Sequence, residues 1–240
     1  MLKLIRADFY RLFHRVYVYV LLGSLAGLAV LVNIMIAHAG EYALTSFSWM
    51  FLLNWLALPM FLIPMITDVV FAEEYKEQTL KNTVSNGTNR IELYLSKTVS
   101  GVLLGLLLAV IAIGAYCASS LLFLSRDPQF TEQFVREFFQ RMGAACVVYI
   151  AALTLANLSV ALFRKNSLSV FAYYGAVFLS PYLFKLIRLP QVNDYLLANQ
   201  VDLVAGGAAA QLQGAMTISA VTAAIGIACG LVCFYKREVG

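Results

Sequence analysis

Residues 98–123 read TVSGVLLGLLLAVIAIGAYCASSLLF, twenty-six positions without one charged side chain. A hydrocarbon layer about 30 Å thick is crossed by roughly 20 helical residues, so this stretch is long enough to span a bilayer. It must do so as a helix. Backbone polar groups in lipid need partners within their own segment, and the run is about twice as long as a barrel strand requires.

Comparable apolar runs flank it at 16–37, 49–70, 142–163, 168–186 and 216–235. Six runs predict an all-α integral membrane protein with six transmembrane helices, residues 1–240 forming a single transmembrane domain. The composition agrees, because 61% of residues are apolar, 12% are charged and the mean hydropathy is +0.79. A soluble domain carries about 25% charged residues, enough to coat a globule.

Basic residues collect on the cytoplasmic side of short loops. With the N-terminus inside, the inner segments hold Lys3, Arg6, Arg11, Arg15, Lys76, Lys81, Arg90, Lys97, Arg164, Lys165, Lys236 and Arg237. The outer ones hold Arg126, Arg136, Arg141, Lys185 and Arg188, and twelve against five predicts both termini inside. The net charge of +4 is split among these loops, which suits contact with an anionic leaflet and argues against nucleic-acid binding.

Segment 1–15 has its own pattern. Leu2, Ile5, Phe9, Leu12, Phe13 and Val16 recur at helical spacing, with Lys3, Arg6, Arg11 and Arg15 around the rest of the wheel. An interfacial amphipathic helix on the inner leaflet is expected. Ala37-His38-Ala39 imitates a signal-peptidase site, but the run before it exceeds the usual 7–15-residue signal core, so 16–37 reads as a retained anchor.

The longest charged inner loop is 71–97, FAEEYKEQTLKNTVSNGTNRIELYLSK. Glu77 and Lys81 stand in the favourable i, i+4 order for a short exposed helix. Ser85-Asn86-Gly87 marks a turn, and Asn89 is placed to cap a helix starting at Arg90.

In this loop, Glu73/Glu74 followed by Thr79-Leu80-Lys81-Asn82, then Arg90 and Ser96-Lys97 ahead of a hydrophobic run, resembles the ABC-2 type permeases, the membrane subunits of one class of ATP-binding-cassette transporter. The chain departs from that pattern at Gln78-Thr79, where Gly-Thr is common, and at Asn86-Gly87, where a proline often stands. The resemblance implies a coupling loop whose Glu73, Glu74, Tyr75, Lys76, Glu77, Thr79, Leu80, Lys81 and Asn82 dock on a cytoplasmic ABC ATPase subunit. It further implies a second permease, identical or related, export of an amphipathic substrate such as a small peptide, and a multi-pass place in a bacterial cytoplasmic membrane. ATP and Mg would belong to the ATPase. The chain itself lacks G-x-x-x-x-G-K-[ST] and is expected to hold no cofactor and to be no enzyme.

Other chemistry lacks its parts. There is no H-E-x-x-H or G-x-S-x-G, and His14 and His38 fall at opposite membrane faces, so no catalytic or metal residue is expected. Cys117, Cys146, Cys229 and Cys233 lie in spans and read as packing residues. Within 49–70, Asn54, Pro59, Pro64 and Asp68 mark a kinked span and a possible translocation path, the freed carbonyls needing partners from neighbouring helices.

Gly23/Gly27, Gly101/Gly105 and Gly226/Gly230 are G-x-x-x-G pairs, read as helix contacts within the subunit or as a dimer seam. Asp127-Pro128 with Phe130, Phe134 and Phe138 predicts a helix on the outer leaflet ahead of the fourth span. The outer connection 187–215 reads as short re-entrant helices. Two other functions fit the same spans: an ion-coupled secondary transporter and a non-transporting membrane scaffold.

Overall fold

The computed structural model describes residues 1–72, 89–163 and 166–236. Among them the chain is helical, and its single β-bridge joins Leu44 to Ser125. A short helix α1 (Leu2–Phe13) leads through extended Arg15 into α2 (Val16–Ala37). Next come α3 (Thr45–Asn54), a 3₁₀ turn at Leu58–Leu62, α4 (Ile63–Thr67) and a π turn at Asp68–Ala72. Two long helices follow, α5 (Arg90–Phe123) and α6 (Glu132–Leu162).

The next helical stretch is α7 (Asn166–Tyr174), a π turn at Gly175–Leu179 and α8 (Ser180–Leu186). A 3₁₀ turn at Pro190–Tyr195 and α9 (Leu197–Gly206) precede α10 (Ala209–Lys236). Among the described residues five helical stretches are long and apolar enough to cross a membrane, and the bent pair Thr45–Asn54 and Leu58–Phe71, here called span two, makes a sixth if it is one span and not a re-entrant loop. Helix α10 packs along α6, and α2 along α5.

The bend in span two measures 50°. Proline has no N–H to give the carbonyl four residues back. Pro64 therefore gives Met60 no donor four residues on, and its carbonyl accepts instead from Ile63 N–H and from the Tyr173 hydroxyl, the latter at 3.0 Å. Tyr149 donates to the Leu56 carbonyl at 2.7 Å and Tyr174 to that of Phe61 at 2.9 Å. Three tyrosines from two other helices thus satisfy the broken backbone, as apolar surroundings require.

At the end of the bundle remote from Ala72 and Asn89, buried polar side chains join three helices. Asn33 donates to the Tyr116 carbonyl and the Ser119 hydroxyl, Ser48 donates to Asn33, and Trp49 donates to Ser120 at 2.8 Å. Each bond spares a polar group from unpaired burial, which makes such residues effective helix glue in lipid. Asp127 accepts from the backbone N–H and hydroxyl of Ser46 in the first turn of α3.

The separate outer helix expected after Asp127-Pro128 is absent as such. Thr131 caps α6, accepting from Phe134 N–H, and the helix runs unbroken through the fourth span. Phe130, Phe134 and Phe138, the first two half-buried and the third buried, surround Trp49, with ring centroids 5.0, 6.3 and 4.3 Å away. Trp49 offers those rings a buried partner, and nothing between Gln133 and Met142 stops the helix. Further along the same N-terminal part of α6, Arg141 donates to the carbonyls of Val204 and Gly207 at 2.8 and 2.9 Å. A cation on the last carbonyls of α9 satisfies the groups a helix end leaves open.

Candidate coupling site

The predicted docking residues Glu73, Glu74, Tyr75, Lys76, Glu77, Thr79, Leu80, Lys81 and Asn82 lie outside the described residues, within 73–88. Both attachments of that segment are described. On one side the π turn at Asp68–Ala72 ends span two. On the other, Asn89 caps α5 as its sequence predicts, its side chain accepting from Ile91 N–H at 3.0 Å.

Three aromatic rings hold these attachments together. Phe71, just ahead of the segment, stands edge-on to Tyr94 of α5 at 5.7 Å and to Phe234 of α10 at 5.9 Å. Tyr94 and Phe234 are 5.6 Å apart, and Leu93, Val160 and Ala161 complete a buried cluster. Such ring pairs add about 0.5–1.5 kcal/mol each beyond the area they bury. Arg90, the first residue of α5, donates to the Tyr235 carbonyl at 3.3 Å. The cluster thereby ties both ends of segment 73–88 to the last turns of α10.

A second group fixes α1 on the same end of α5. Asp8 is 5% exposed and Lys97 4%. Their side chains form an ion pair and hydrogen bond, Ser100 donates to the other carboxylate oxygen at 3.0 Å, and Arg11 lies 4.0 Å away. A buried carboxylate is tolerable when its lone pairs are filled by a cation and a hydroxyl in this way. Sequence analysis counts Lys97 as an inner-loop cation and passes over Asp8. The signal was available, since Asp8 sits on the Ile5–Leu12 stripe of an otherwise basic segment, one turn from each.

The remaining predicted residues scatter. Asn54 closes α3 and is exposed, Pro59 is exposed in the 3₁₀ turn, Pro64 is buried in α4, and Asp68 is half-buried at the start of the π turn. Gly101 and Gly105 receive Leu153, Gly226 receives Thr154 and Gly230 receives Tyr94, so these four serve packing within the chain. Gly23 and Gly27 face open space. His14 and His38 each bond a carbonyl of their own helix, and all four cysteines are free.

A sequence model of the ABC-2 family transporter proteins matches residues 4–180, well over half of the chain, including Asp8, Phe71, Tyr94 and Lys97. The chain belongs to the ABC-2 transporter family. It is accordingly a multi-pass membrane permease of an ABC transporter, the membrane component of such a system. Phe234, in the last span of this ABC-2 permease, lies beyond the matched interval and meets it through Phe71 and Tyr94. A search of curated proteins finds no matching relative.

Proposed function

We propose that this ABC-2 permease is one of two membrane subunits of an exporter for an amphipathic substrate, a small peptide being the preferred class. ATP and Mg bind a separate cytoplasmic ATPase, on which Glu73–Asn82 docks. The observation carrying this reading is the convergence of both loop attachments and the end of α10 at one buried cluster, with α1 fixed to the same end of α5 by the Asp8–Lys97 pair. Displacement of a loop held in this way is passed to span two, α5 and α10 together. Asp8–Lys97 conveys it to α1.

The bent span supplies a candidate path. Tyr42, Phe47, Phe51 and Trp55 form a ladder of neighbouring rings leading to the break, with Asn54 beside it. Beyond the break Phe61 stacks on Phe178 at 4.1 Å. Phe47, Trp55 and Phe61 are exposed in the single subunit. An aromatic face interrupted by one amide suits cargo that is apolar with a polar end.

Recovery of the chain from its native membrane in mild detergent, with mass spectrometry of its companions, tests the reading. An ATPase carrying a Walker motif is expected to co-purify with the wild type and to be lost on Glu74→Arg or Leu80→Arg. Failure to recover one, under conditions that keep other complexes intact, would shift the assignment to an ion-coupled transporter or a scaffold.

The seam between the two subunits is assigned to Gly23 and Gly27. No side chain of the same subunit comes within 4 Å of the positions their Cβ atoms would take, whereas all four glycines of the other pairs are filled. The double variant Gly23→Ile/Gly27→Ile is expected to leave the subunit's melting temperature unchanged and to reduce cross-linked dimer several-fold. Undiminished cross-linking would remove α2 from the seam.

A further inference from the structure

Beyond its break, the second limb of span two meets a small cavity. Three helices line it with side chains one turn apart: Pro64 and Thr67 from the span-two limb, Ala156 and Val160 from α6, and Ser169 and Tyr173, with Val170, from α7. The room open to the centre of a water-sized sphere is about 10 Å³, enough for one such molecule and too little for an acyl chain or a hydrated ion.

Its walls carry three hydroxyls, those of Thr67, Ser169 and Tyr173. Thr67 is 2% exposed, and its Oγ1 has no hydrogen-bond partner among the described residues. Tyr173 spends its proton on the Met60 carbonyl, which leaves its oxygen able to accept. The backbone here is also irregular. The turn from Asp68 begins directly after Thr67 and the turn from Gly175 two residues after Tyr173, both with π spacing.

We propose that this cavity is a binding site for one water molecule, held by Thr67 Oγ1, the Tyr173 oxygen and Ser169. The donor set selects water. It consists of neutral hydroxyls with no carboxylate among the described lining residues, a set that suits the two to four polar partners of a water better than the charge of a metal ion. The bound water satisfies the buried Thr67 hydroxyl one turn beyond Pro64. Unlike a side chain, it can re-aim its bonds, so this limb of span two can shift against α6 and α7 without burying the Thr67 hydroxyl unpaired. The site stands whether or not the transport reading holds.

X-ray hydroxyl-radical footprinting of the full chain in nanodiscs tests the site, because radiolysis of a bound water oxidises side chains that bulk solvent does not reach. Tyr94 is the internal control, buried like Tyr173 but in an aromatic cluster. Tyr173 is expected to be oxidised several-fold faster than Tyr94 in the wild type. Thr67→Val, which keeps the shape and removes the hydroxyl, should bring Tyr173 down to the Tyr94 rate, and Thr67→Ser should retain the difference. Equal rates in the wild type would overturn the proposal without reference to any variant. Tyr173 oxidation unchanged by Thr67→Val would do so too.

Discussion

Asp8→Asn is expected to destabilise the subunit more than Lys97→Met, and the double variant to be more stable than either. Removing one member of a buried ion pair strands its partner and costs about 3–5 kcal/mol, whereas replacing both is often neutral. The two single changes differ in what remains. After Lys97→Met the carboxylate of Asp8 keeps the Ser100 hydroxyl at 3.0 Å and Arg11 at 4.0 Å. After Asp8→Asn the Lys97 ammonium, 4% exposed, and the nearby Arg11 guanidinium both lose the Asp8 carboxylate and gain only a neutral amide in its place.

Melting temperatures in nanodiscs, arranged as a double-mutant cycle, read the coupling between the two positions directly. The transport reading adds a second expectation. Lys97 lies two turns into the helix that begins where segment 73–88 ends, so the double variant should keep its melting temperature yet show weakened stimulation of the proposed ATPase by substrate. Equal destabilisation by both single changes, with simple additivity in the double, would mean that the pair is not the link between α1 and α5.

What the sequence makes legible follows from the range of the interactions involved. The spans are visible because a bilayer demands a long uncharged run, and 98–123 satisfies that within one continuous stretch. The start of α5 is visible because a cap is local, Asn89 bonding the N–H two residues on. The bend of span two is visible in its prolines, although its place among residues 55–57 and its tyrosine donors are not. Tyr149, Tyr173 and Tyr174 lie some 90 to 113 positions from the carbonyls they serve.

The same distance hid the Asp8–Lys97 pair, 89 positions apart, and the Arg141 clamp on α9. In each case the residue's chemistry is plain and its partner is not. The outer phenylalanines misled for a related reason. A stripe at four-residue spacing shows that one face of a helix is apolar, and lipid or Trp49 would satisfy that face equally well. Among the glycine pairs the motif is identical, and only the neighbours separate packed Gly101, Gly105, Gly226 and Gly230 from open Gly23 and Gly27.

Gly230→Ala is expected to be the most disruptive glycine-to-alanine change among the described residues. A Cβ at this position would lie 1.8 Å from the Tyr94 hydroxyl oxygen and 2.5 Å from its ring carbon. Tyr94 is fully buried between Phe71 and Phe234, so the ring has no free side to move into. Overpacking of this kind costs about 1–3 kcal/mol, more than the gain of about 1 kcal/mol that alanine brings over glycine inside a helix. Gly114→Ala on α5 isolates that gain, since nothing stands within 4 Å of its Cβ position, and should be neutral or stabilising.

Tyr94→Phe in the Gly230→Ala background should recover only part of the loss, because it removes the oxygen but leaves the ring carbon too close. Thermal melting in nanodiscs distinguishes these outcomes, and a Gly230→Ala subunit as stable as the Gly114→Ala one would show that α10 and α5 are not in contact there. Tyr94 stands five residues beyond Asn89, so a ring pushed aside by the new methyl moves the attachment of segment 73–88 with it. If that segment docks the ATPase, substrate-stimulated hydrolysis should fall further in Gly230→Ala than in Gly226→Ala. The latter meets Thr154 Oγ1 at 2.8 Å, on α6 and away from the attachment cluster.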